Sequence, residues 1–145
     1  MPQDIESTYT DKFVAGVDFG EATTGLALGK NGAVTPAGSV PTKDKLFAVQ
    51  QILKFAKENK VAALVVGLPL TSGGKETGQS LEVRRFAKLL KTRLGIPVRF
   101  VDEFGSTAEA EEGALEAGLP QKARKKVDAI SAALILKRFF SEEGL

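Results

Sequence analysis

Three acidic positions stand where core elements have no structural need of them. Asp18 closes the apolar run "FVAGVDFG" (13–20), Asp102-Glu103 closes "IPVRFVDEF" (96–104), and Asp128 opens the helical stretch "KVDAISAALIL". Asp128 shares its helical spacing with Ser131, Ala132 and Ile135, which are small or apolar and turn it toward an inward-looking face. A lone charge there is costly unless something pairs with it. The chain has no histidine and no cysteine, so an imidazole base, a thiolate nucleophile and a thiolate zinc site are all excluded. Carboxylate oxygens without imidazole or thiolate suit Mg²⁺ or Mn²⁺. Two such ions roughly 3.5–4 Å apart can clamp the attacking and leaving oxygens of a phosphodiester, with a bound water as nucleophile.

Each acid also has a plainer alternative. Asp18 beside Phe19-Gly20 can be a turn residue, or it can belong to a phosphate-holding loop. Asp102-Glu103 can lead into a helix cap at Ser106-Thr107. Asp128 can be a first-turn acid favoured by the helix dipole, worth ~0.3–1 kcal/mol. The conjunction of the three carries more than any one of them. Cations supply a second signal: "QKARKKVD" sets Lys122, Arg124, Lys125 and Lys126 immediately before the last helix, where they oppose the macrodipole. Phosphate binding explains them; a solvated charge run is the alternative. Lys75, within the polar stretch "TSGGKETGQS" (71–80), is a further phosphate contact or part of a plain linker.

The elements that must position these residues follow from pattern. Runs 13–20, 24–30 and 33–40 read as strands, and Asn31-Gly32 between the last two is a strong hairpin signal. Pro36 sends the third strand to an edge. Thr42 or Asp44 caps a helix carrying Leu46, Phe47, Val49, Ile52, Leu53 and Phe55 at helical spacing. "VAALVVGLPL" (61–70) is too continuously apolar to be half exposed and reads as a core strand. A second amphipathic helix (Leu81, Val83, Phe86, Leu89, Leu90) ends near Gly95, a strand covers 96–104, and helices follow over about 107–117 and 126–140. The order β-β-β-α-β-α-β-α-α predicts an α/β fold: a five-stranded mixed sheet, antiparallel meander plus parallel strands, with helices on both faces. If the first and last parallel strands lie side by side, Asp18 and Glu103 meet at the carboxyl edge where ligands gather, and Asp128 is presented from above.

Composition bounds the rest. With 145 residues, 43% apolar and 26% charged, the chain suits one globular domain, expected over 13–141 after a frayed tail over 1–12. No apolar run approaches a membrane span and no signal peptide is visible, so a cytoplasmic location without membrane partners is expected. Net charge of +2 neither requires nor excludes nucleic acid.

At this level of detail, "GVDFGEATTGLALG", "VVGLPLTSGGKETGQSLEVRRFAKLL", "VDEFGST" and "KVDAISAALIL" resemble the signature blocks of the YqgF/RuvX family, in order and spacing, from about Val14 to Phe140. The resemblance implies a ribonuclease H-like fold and a nuclease acting on Holliday junctions or on precursor small-subunit rRNA. It implies a metal-binding catalytic set of Asp18, Glu103 and Asp128, with Arg84, Ser106 and Thr107 as polar neighbours of the site. Phe104-Gly105 departs from the arginine the family carries after Asp-Glu, which bears on substrate placement, and Glu21 replaces a small polar residue. The partner expected is branched DNA or precursor rRNA, with the protein a monomer or a homodimer. Two rivals differ in class. One is a nucleic-acid-binding module without catalysis, which would have no use for clustered acids. The other is an actin-like or sugar-kinase-like ATP-binding protein sharing the Asp-x-Gly-x-x-x-Thr-Gly loop, which needs a second lobe that this length does not accommodate.

Overall fold

The computed structural model describes residues 8–103 and 121–145, with side chains in the second segment from 127 onward. The expected helix over 107–117, and Ser106 and Thr107 with it, lies outside the described residues. Strands β1 (Val14–Asp18), β2 (Thr23–Lys30) and β3 (Ala33–Pro41) form the antiparallel meander. Asn31 and Gly32 take positive φ values of 51° and 87°, the left-handed pair that a two-residue hairpin turn requires. Helix α1 (Lys45–Glu58) leads to β4 (Ala63–Leu68), α2 (Gly78–Leu94), β5 (Val98–Asp102) and α3 (Gln121–Glu142).

The sheet order is β3-β2-β1-β4-β5, with β4 parallel to both β1 and β5. Pro36 therefore does sit on an edge strand. The first and last parallel strands, however, are not neighbours, because β4 lies between them. The crossover through α1 places β4 beside β1, and the one through α2 adds β5 outside it.

Period-two alternation divides each strand between two cores. Ala15, Val17, Leu26, Leu64, Val66 and Leu68 face α1 and α2, which bury Ile52, Val83, Phe86 and Leu90 against them. Val14, Ala27, Val65 and Val101 face α3, which buries Ile135, Leu136, Phe139 and Phe140. Each fully buried large side chain of this kind contributes about 1.5–3 kcal/mol.

Asp44, not Thr42, is the N-cap of α1, accepting from the Phe47 N–H at 3.1 Å. Thr42 is buried and hydrogen-bonded to Thr24 at 2.8 Å. Within the stretch expected to fray, Tyr9 is 6% exposed and meets the Phe139 ring edge-on at 5.4 Å. That contact holds Tyr9 against α3.

Candidate functional site

Asp18 is the last residue of β1 and its side chain faces α3. It is 6% exposed, and Glu103, just past the end of β5, is 5% exposed. Both carboxylates are thus buried at the carboxyl edge of the sheet. Neighbouring glycines make the room. The register pairs Val17 with Val66, so Asp18 stands beside Gly67 of β4. On its other side Asp18 pairs with Gly25 of β2.

Gly67 compensates for the strand that separates β1 from β5. A Cβ added there would lie 2.8 Å from Glu103 Oε2 and 3.0 Å from its Cδ. The Glu103 carboxyl therefore rests over the bare backbone of β4, one strand spacing, about 4.8 Å, from the β1 backbone. The Glu103 N–H donates to the Leu68 carbonyl at 3.2 Å, which fixes its starting point. Asp102, the other acid of the pair, is exposed and alternates to the opposite face.

Gly25 does the same for α3. A Cβ there would lie 2.0 Å from the Asp128 carbonyl oxygen, and at Gly16 it would lie 2.6 Å from that of Ala132. The helix backbone lies directly on the two strands because neither position has a side chain. Helix α3 begins at Gln121, earlier than the sequence pattern indicates. Asp128 consequently sits about two turns in, beyond the reach of the dipole effect that would explain a first-turn acid.

The half-buried Asp128 carboxylate accepts a hydrogen bond from the Thr23 hydroxyl. Burial raises its pKa above the usual aspartate value, and the Thr23 bond opposes that shift. Thr23 is a site neighbour to which the sequence pattern assigned no role, although its place two residues before Gly25 put it on the same face. Among the described residues, no three acidic side chains converge closely enough to enclose one metal ion.

The remaining candidates are distributed differently. Lys122, Arg124, Lys125 and Lys126 fall inside the first turns of α3, not ahead of it, and their side chains lie outside the described residues. Lys75 is exposed in a turn closed by its own N–H to Thr71 Oγ1 at 3.0 Å. Arg84 is on α2, on the far side of the sheet from α3. Its Nε and a terminal nitrogen donate to Glu76 at 2.8 and 2.9 Å, which holds the Glu76 carboxyl down to a pKa of about 2. The guanidinium lies over the Phe100 ring, 5.0 Å from its centroid. Glu21 is exposed and, with Gly20, Gln79 and Arg85, borders a cleft of about 530 Å³ between the β1–β2 loop and the start of α2.

Comparison with known proteins places this geometry. The family model described as "RuvX: Holliday junction resolvase" matches residues 12–142. A protein of Colwellia psychrerythraea named "Putative pre-16S rRNA nuclease" is 34% identical over 99% of both chains. Proteins of the same name from Chromohalobacter salexigens and Proteus mirabilis are 38% and 35% identical, over 91% and 92% of this chain and 91% and 99% of theirs. Among solved structures, Thermus thermophilus RuvC in complex with a Holliday junction substrate superposes with a TM-score of 0.57 at 18% identity, over 92% of this chain and 96% of that one. With the sheet order, the helix on each face and the family match in agreement, this chain is a member of the RuvX family of ribonuclease H-like nucleases.

Proposed function

We propose that the chain is a divalent-metal-dependent endonuclease that hydrolyses phosphodiester bonds in structured nucleic acid, with Asp18, Glu103 and Asp128 as its acidic set. The observation that carries this reading is the pair of glycines beside Asp18. Gly67 gives way to the Glu103 carboxyl and Gly25 to the Asp128 backbone, so both strands next to Asp18 lack side chains where the other two acids approach. Asp18 and Glu103 are buried at the same edge of the sheet, and Asp128 is half buried beside it. The donor set is all oxygen, which fits Mg²⁺ or Mn²⁺.

Asp18, Glu103 and Asp128, which line one edge of the sheet without closing around an ion on their own, would hold the metal, which would supply charge neutralisation at the scissile phosphate and acidify water there. The chain's own residues do the rest. The buried edge limits water around the acids, and the Thr23 hydroxyl orients the Asp128 carboxylate. Lys75, Arg84, Ser106, Thr107 and the 122–126 cations are proposed as phosphate contacts. The names of the relatives point to precursor 16S rRNA and the family description to four-way junctions.

The test is cleavage of a four-way junction and of a precursor 16S rRNA end, side by side, in Mg²⁺, in Mn²⁺ and in EDTA. Asp18→Asn should lose at least about a hundredfold in rate while keeping the wild-type melting temperature within a few degrees. Metal-independent cleavage, or full activity in Asp18→Asn, would overturn the mechanism.

A further inference from the structure

The face of the sheet away from α3 carries a second feature. A groove of about 220 Å³ lies between α2 and the edge strand β5, lined by Arg84, Ala87, Lys88, Lys91, Val98 and Phe100. Arg84, Lys88 and Lys91 are spaced to lie along one side of α2, and all three are exposed. Helix α2 is unevenly charged, with Arg84, Arg85, Lys88, Lys91 and Arg93 against the single acid Glu82. No ion pair engages Lys88 or Lys91 among the described residues.

Phe100 alternates toward this side of β5 and is 37% exposed, a large apolar surface for an edge strand to leave in water. Arg84 makes a cation–π contact with it at 5.0 Å from the ring centroid, and the two hydrogen bonds it donates to Glu76 hold the guanidinium there. The result is an aromatic–guanidinium layer beside two uncommitted ammonium groups. Stacking platforms flanked by cations are the means by which single-stranded nucleic acid is held without sequence preference.

We propose that the α2–β5 groove binds a single-stranded flank of the nucleic-acid substrate, with phosphates on Lys88 and Lys91 and a base against the Phe100–Arg84 layer. This rests on the nuclease reading and extends it to a second contact surface. Charge complementarity selects a polyanion, and the stackable layer selects one with bases. Phe100 stands three residues before Glu103, about 10 Å along an extended strand. A strand passing around the β5 edge would therefore connect the groove with the acids.

Binding of a fluorescent single-stranded oligonucleotide to the full chain, measured by anisotropy in EDTA across a salt series, tests this without requiring cleavage. The double variant Lys88→Gln/Lys91→Gln should weaken binding about tenfold at low salt and flatten the log–log salt slope by about 1.4, two contacts at 0.7 each. Phe100→Leu keeps apolar packing and should weaken binding about fivefold, whereas Phe100→Tyr should bind like wild type. Wild-type affinity and slope in the lysine variant would overturn the proposal whether or not the protein cleaves. So would a wild-type chain that binds no single strand. Loss of binding in the variants together with failure of metal-dependent cleavage would instead leave the groove standing and sink the catalytic reading.

Discussion

The Glu103 carboxylate lies over Gly67, closer than a side chain on that residue would permit: its Oε2 is 2.8 Å from where a Cβ would stand. A parallel strand between two acid-bearing strands would ordinarily fill the gap with its own side chain. Here the middle strand is left bare at the one position where β5 must reach toward β1. Gly67→Ala should thus act on the position of Glu103. The added methyl would also press on Ile135 Cδ1 at 2.4 Å, so a stability loss of about 1–3 kcal/mol is expected as well. Cleavage should fall by more than tenfold at temperatures where the variant remains folded. Unfolding curves and rates measured on one preparation separate the two effects, and a folded variant with wild-type rate would deny Glu103 its role.

Much of this was legible in the sequence, for physical reasons that can be named. The Asn31-Gly32 turn, the continuous apolar β4 and the end of α2 at Gly95 are local signals, and local signals need no knowledge of neighbours. Gly95 indeed caps α2 in the left-handed region at φ 68°. Local pattern leaves open whether β1 and β5 are adjacent, because the sheet order depends on where each crossover lands. Gly67 itself carried a usable clue: a glycine inside a buried strand marks a close approach of another group. The Arg84–Glu76 pair spans a loop and a helix, so helical spacing could not reveal it. Helix α3 starts earlier than the pattern predicts because residues 121–125 are good helix formers with no apolar periodicity to mark them.

Gly25 has the tightest contact of any strand glycine, with 2.0 Å between its would-be Cβ and the Asp128 carbonyl oxygen. That atom is helix backbone and cannot rotate aside. Gly25→Ala should therefore lift α3 from the sheet, with a stability loss of about 3 kcal/mol or more. Gly78→Ala, where nothing lies within 4 Å, is the matched control and should fold normally. Denaturant unfolding of the two variants checks the contrast, and equal midpoints would mean that α3 is free to shift.

Glu76 offers a titration with a defined midpoint. Its hydrogen bonds from Arg84, assisted by Ser80, hold its pKa near 2 instead of 4.5. A depressed carboxylate pKa adds stability that is present above about pH 4.5 and is lost as pH falls toward 2. Both partners are solvent-exposed, so solvent screens the pair and the melting temperature should change little on its removal. The informative measurement is the Glu76 carboxyl chemical shift against pH. In Arg84→Ala the midpoint should return toward 4.5, and an unmoved midpoint would deny the pair its bidentate contact.

Asp128 makes the opposite prediction. Burial raises its pKa, so the folded state holds the Asp128 proton more tightly than the unfolded chain does. Its contribution favours folding below the unfolded value and is lost as pH rises through the folded one. At neutral pH the ionised side chain is therefore a cost to the fold, tolerated at the position where a cation is proposed to bind. Asp128→Asn removes the charge and still offers an oxygen to the Thr23 hydroxyl. The variant should melt at or above the wild-type temperature at pH 7, lack the Asp128 share of the pH dependence in the acid range, and cleave nothing. Adding Mg²⁺ or Mn²⁺ should raise the melting temperature of the wild type more than that of the variant, which has lost one of the three proposed ligand charges. Equal stabilisation of both proteins by the ion would place the metal away from Asp128.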